Sequence, residues 1–192
     1  MLQAEPVIWH RYELLSKMSD YKFKRLVATG ELQRIRKGIY IYRDSDESDS
    51  DMVLTQQFFP QAIFSIFTAA SYHNLTTVIP RKMQITLSSS GTRRFVLPDY
   101  PPIEIFFSSD RTMFLGVEHM EIEGQMVNIY NRERTVCDMF RYLDKTGLDT
   151  AIEVFKAYMA DIRGRNIQLL MEYAKKLRVY KYISQYVEVT IG

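Results

Sequence analysis

The sequence predicts an α+β protein: a short N-terminal winged-helix module, then a mixed α/β domain whose last third is helical. Three observations predict it. A helix, a glycine stop and a basic hairpin follow one another between Ser19 and Tyr42. The run Asp44 to Asp51 reads DSDESDSD, without an apolar residue. It has nothing to bury and its like charges repel, so it marks a boundary. Behind it the pattern goes from helix to strands and back to helices, not through the alternating strands and helices of a nucleotide-binding sheet. The chain is thus expected to divide into a winged helix-turn-helix module at 1–43, an acidic linker at 44–51 and an α+β domain at 52–192.

In the first module, Val7 to Leu15 reads as a helix with Ile8, Tyr12 and Leu15 on one face. Ser19-Asp20 offers an N-cap for a second helix, in which Phe23, Leu26 and Val27 fall at helical spacing. Gly30 stands where a left-handed residue would end that helix. Leu32 and Ile35, a Lys37-Gly38 turn and the alternating Ile39/Ile41 pair then read as a two-stranded hairpin.

The second segment is expected to open with helices over Met52–Phe59 and Ala62–His73, broken at Pro60. Strands follow at Met83–Leu87, Phe95–Leu97 and Ile103–Phe107, and Glu123-Gly124 joins a hairpin of Val117–Ile122 with Met126–Tyr130. Helices over Arg132–Asp144, Thr150–Asp161, Asn166–Leu177 and a last stretch to Val189 complete the pattern.

With 46% hydrophobic residues, 13 Tyr and 11 Phe, the chain can build a substantial core. Cys137 is its one cysteine, which rules out an intramolecular disulfide and fits a reducing cytoplasm. Residues 1–20 carry no long apolar run behind a basic start, and the stretch Ala62–Ala70 is too short to span a bilayer. A soluble, cytoplasmic protein without a membrane partner is the expectation.

Catalytic signatures are missing. There is no GxxxxGK[ST], GxGxxG or GxSxG, and His10, His73 and His119 lack metal-ligand spacing. Cys137, in the apolar run Thr135–Phe140, reads as a buried small hydrophobe. Glu104 and Asp138 are the acids best placed for a metal-dependent nuclease. Ile105 to Ser109 supplies neither the second acid nor the lysine such a centre uses, so Glu104 reads as a solvent-facing strand residue and Asp138 as a partner of Arg134 one turn earlier. No catalytic residue, metal or cofactor is expected.

The net charge of +2 conceals a segregation: Lys17 to Arg43 hold eight basic residues against two acids. Duplex DNA rewards such a patch through counterion release. Tyr21, Lys22, Lys24 and Arg25 are suited to a recognition helix, and Arg34, Arg36 and Lys37 to a wing that reaches phosphates or the minor groove. Arg93-Arg94 and Arg132/Arg134 could extend a basic surface into the second domain. The rival reading is an interaction module, with residues 52–192 binding a protein.

Four segments carry a resemblance. Arg25 to Tyr40 (RLVATGELQRIRKGIY) resembles the "(R)LvxxGeLxrixrGvY" signature of the winged-helix domain of AbiEi-family antitoxins. Phe67 to Leu75 with Pro80 is similar to that family's "TAxxxHgL…xP" segment, Arg132 to Arg141 to "xxRTvxDxxR", and Leu170 to Glu188 to its closing helices. The resemblance implies an antitoxin and transcriptional regulator of a type IV toxin–antitoxin (abortive infection, phage defence) operon. It implies repression through inverted repeats in the operon's own promoter, hence a possible dimer on double-stranded DNA. The toxin countered would be nucleotidyltransferase-like, without a stable complex being required. The family's module usually has three helices before the wing, whereas only about 18 residues precede Ser19 here. A module this short is abbreviated, borrows packing from the second domain or has lost strong DNA binding.

Overall fold

The computed structural model describes residues 8–42, 50–90 and 96–191. The described residues open with β1 (Trp9–His10), α1 (Arg11–Lys17), α2 (Asp20–Thr29), β2 (Leu32–Arg36) and β3 (Ile39–Tyr42). Next come α3 (Asp51–Phe58), β4 (Ile63–Phe64), α4 (Ile66–Tyr72), β5 (Met83–Ser88), β6 (Ile103–Ser108), α5 (Asp110–Met113), β7 (Val117–Ile122) and β8 (Gln125–Tyr130). The last third is helical: α6 (Arg132–Arg141), α7 (Leu143–Thr146), α8 (Leu148–Ala160), α9 (Ile167–Lys176) and α10 (Tyr180–Ile191). The described residues form a mixed α+β fold with two sheets.

The first sheet has the order β1-β3-β2, antiparallel throughout. The helix expected over Val7–Leu15 is corrected here. Trp9 and His10 are extended and pair with Tyr40 and Ile39, and the helix begins only at Arg11. The His10 N–H donates to Glu13 Oε2 (2.8 Å), closing the first turn from the side chain three residues on. Leu14 therefore points inward, while Tyr12 is 70% exposed. The second helix follows its local signals. Ser19 Oγ accepts from the Lys22 N–H at 3.3 Å, and Gly30 ends the helix at φ 82°, a conformation that would cost a residue with a Cβ.

Both faces of this sheet are covered. Leu32, Tyr40 and Trp9 pack with Leu14, Phe23 and Leu26 of the two helices. Ile35 and Ile41 point the other way and pack with Leu54 of α3, joined by Ile39, Phe58 and Tyr100. A backbone bond from the Asp99 N–H to the Ile35 carbonyl (2.7 Å) crosses the same seam. The N-terminal unit thus shares a core with the rest of the chain. Of the acidic run, positions 43–49 lie outside the described residues. Its end is not linker, because Ser50 Oγ caps α3 by accepting from the Met52 N–H, and Asp51 begins that helix.

The second sheet has the order β6-β5-β4-β8-β7. β5 and β6 run parallel, as do β4 and β8, while β4/β5 and β7/β8 are antiparallel. The helix expected over Ala62–His73 is corrected in its first part: Ile63 and Phe64 form the middle strand between β5 and β8. Ile66 leaves it at φ 52°, a costly conformation for a β-branched residue, held here by complete burial. Of the strand expected at Phe95–Leu97, Phe95 lies outside the described residues, and Val96 and Leu97 are not in a strand. The helices α8, α9 and α10 gather around α6, whose residues Glu133 to Phe140 are all buried. No described helix is long and apolar enough to cross a membrane.

Candidate nucleic-acid interface

α2 turns Phe23 and Leu26 inward, which leaves Tyr21, Lys22, Lys24 and Arg25 on its exposed side. All four residues expected on the recognition helix are thus accessible. Their charges are not equal. Lys24 Nζ lies 2.7 Å from Asp20 Oδ2 one turn earlier, and Arg11 approaches Oδ1 of the same carboxylate at 3.5 Å. The Lys24 hydrogen bond holds Asp20 below its ordinary carboxylate range. Lys22 and Arg25 have no such ion pair among the described residues.

The hairpin supplies the other half. Arg34 is exposed on the strand face that carries Leu32 and Tyr40, its Nε donating to the Arg36 carbonyl at 3.3 Å. A register shift between Arg34 and Arg36 displaces the end of β2 before the turn. Arg36, Lys37, Gly38 and Ile39 then face His10, Arg11, Tyr12 and Leu15 across an open groove of about 590 Å³. The Arg11 N–H donates to the Gly38 carbonyl (2.8 Å), fixing the start of α1 against the turn.

Arg11, Arg36 and Lys37 therefore line one concave surface. Sequence reasoning missed Arg11, along with His10 and Tyr12, because no local signal brings the start of α1 against the hairpin turn. Their position depends on β1, a two-residue strand that exists only through its pairing with β3. A trio of cations around a groove, beside an exposed basic helix, can engage successive phosphates of a polyanion.

The other candidates are held in the fold. Asp138 is 1% exposed, and its Oδ2 accepts from Arg134 Nε at 3.0 Å. Burial raises its carboxyl above the ordinary range, opposed by the charges of Arg134 and Arg141. Arg134 also donates through Nη1 to the Thr112 and Leu115 carbonyls (2.6 and 3.0 Å) and lies over the Tyr130 ring. It is buried, so it cannot extend a basic surface. Arg132 is paired with Asp161 at 2.7 Å, and Arg93-Arg94 lie outside the described residues.

Glu104 is half-buried and accepts from Gln84 Nε2 at 2.9 Å, a correction to its expected solvent-facing place. Burial pushes the Cys137 thiol well up, and its Sγ faces the Leu170 carbonyl at 3.8 Å, as suits a packing residue. Among the described residues, no three His, Cys, Asp or Glu side chains group as metal ligands would. A scan against protein-family models and a search of curated proteins each return no match.

Proposed function

We propose that the chain is a DNA-binding autorepressor with antitoxin function, its N-terminal unit being a winged helix. The observation that carries the reading is the convergence of Arg11, Arg36 and Lys37 around one groove, beside the exposed Tyr21, Lys22 and Arg25 of α2. In this reading α2 enters the major groove, and the hairpin grips flanking phosphates as a wing. Two copies on inverted repeats of the operon's own promoter would repress it in the cytoplasm. The antitoxin role, against a nucleotidyltransferase-like toxin, rests on the four AbiEi-like segments. No catalytic step is assigned to the chain.

The test is fluorescence anisotropy of the purified protein against the duplex upstream of its own gene, with a scrambled duplex alongside, over a salt series. Preferential binding to the native sequence, with log affinity falling steeply in log salt, supports the repressor. Weak binding without preference overturns it. Co-purification of a stable complex from cells that co-express the neighbouring toxin gene would then favour the toxin as direct partner.

A further inference from the structure

A second, separate concentration of positive charge lies at the helical end of the molecule. Arg111 of α5, Arg141 at the end of α6, Lys175 and Lys176 at the end of α9, and Arg178 just beyond it line a cavity of about 730 Å³. Two hydroxyl residues, Ser109 and Thr112, line it as well. The negative end of α9 accounts for Lys175 and Lys176 by the helix dipole alone. Arg111 and Arg141 come from the last turns of two other helices, so three helix ends bring their cations to one cavity.

The buried Asp138 carboxyl acts on Arg141, and few other groups of the fold offset these charges. Among the described residues the one side-chain ion pair made by any of the five is Lys176 with Glu172, at 2.6 Å. Lys175 lies over the Tyr180 ring and Arg141 over the Tyr142 ring, at 5.3 and 5.4 Å, contacts that leave both charges intact. Arg141 Nη1 is shielded from solvent without a hydrogen-bond acceptor among the described residues. Arg178 holds a left-handed backbone at φ 63°, which an arginine adopts at a cost.

The floor is rigid. The buried Arg134 binds the Thr112 and Leu115 carbonyls, and Gly116 passes so close that a Cβ there would stand 2.8 Å from Arg134 Cβ. Three guanidinium forks, two ammonium groups and two hydroxyls suit a ligand with several closely spaced oxyanions. The volume is that of a small-molecule site. No lining residue is aromatic, so there is no platform for a base to stack on, and the charge of the ligand must carry recognition.

We propose that this cavity binds a phosphate-chain anion, either an inorganic polyphosphate or the triphosphate of a nucleotide. Calorimetric titration of the full chain with sodium tripolyphosphate tests it directly. Saturable binding is expected, weakening with added salt, and losing roughly tenfold or more in affinity in Arg111→Gln and in Lys175→Gln. The Arg36→Ala/Lys37→Ala variant should bind tripolyphosphate like the parent chain, which separates this site from the N-terminal groove.

Amide chemical-shift changes on adding tripolyphosphate, centred on Arg111, Lys175 and Arg178, would locate the ligand without reliance on any variant. Tighter binding of ATP than of tripolyphosphate would assign a nucleotide, and equal binding the phosphate chain alone; both support the site. No heat and no shifts, or affinity lost only in the Arg36/Lys37 variant, would overturn it. Displacement of tripolyphosphate from this cavity by a short duplex would also overturn it, in favour of nucleic acid.

Discussion

At the scale of single residues, the buried pair Arg134–Asp138 has the clearest consequence. Arg134 is bonded to Asp138 and to two carbonyls, Thr112 of α5 and Leu115 of the loop after it. Removing Asp138 leaves a guanidinium in the interior without its counter-charge. Asp138→Ala should therefore lower stability by about 3–5 kcal/mol in urea unfolding. A loss under about 1 kcal/mol would mean that the carbonyls alone hold Arg134. His73 offers a pH test. Facing the Tyr130 carbonyl at 2.7 Å, its Nε2 must carry the proton and donate, and burial, foremost, pulls its pKa below the ordinary 6.5. The unfolded chain therefore binds that proton more readily than the fold does. The contribution is intact above the ordinary value and is lost as pH falls through it toward the lower folded one. Urea midpoints should drop between about pH 7 and about pH 5, and drop less in His73→Gln. Residue-level legibility was mixed. The Arg134–Asp138 pair was readable because its spacing of four is a property of the helix itself. The links from Arg134 to Thr112 and Leu115 were not, since they join elements about 20 residues apart.

At the scale of elements, α2 and the hairpin are the parts whose roles separate by experiment. Lys22→Ala or Arg25→Ala should reduce the preference for the native operator over scrambled DNA. Arg36→Ala with Lys37→Ala should weaken binding to every duplex and flatten the salt slope by about one unit per lost phosphate contact. Identical behaviour of the two sets in the same anisotropy series would remove the division between helix and wing. Ser19→Ala removes the cap of α2 and should cost about 1 kcal/mol in thermal or urea unfolding, without touching a basic side chain. These elements were legible because their signals are local: a cap, a glycine stop, a turn and an alternating pair. β1 and β4 were not. Each is two residues long and takes its conformation from partners distant in sequence, Tyr40 and Ile39 for one, β5 and β8 for the other. Misreading β1 hid Arg11, and with it a third of the cation trio around the groove.

At the scale of the whole molecule, the decisive feature is the seam between the first sheet and α3. Ile35 and Ile41 meet Leu54 there, and the Asp99–Ile35 backbone bond spans it. Ile35→Ala and Leu54→Ala should each destabilise the protein. Their effects should also be non-additive, with a coupling of about 0.5–3 kcal/mol in a double-mutant cycle. Additive losses, or two separate unfolding transitions, would mean that the two parts are independent. The acidic run invited division of the chain because charge pattern is visible in a sequence and a shared core is not. Apolar residues on both faces of the hairpin, Leu32 and Tyr40 against Ile35, Ile39 and Ile41, were its trace. A fragment cut at the acidic run would carry that second face bare. A three-stranded sheet with an uncovered row of isoleucines is a surface for self-association. Such a fragment should run as oligomers or precipitate on concentration, and its failure to hold an operator would reflect colloidal behaviour, not the chemistry of the basic groove.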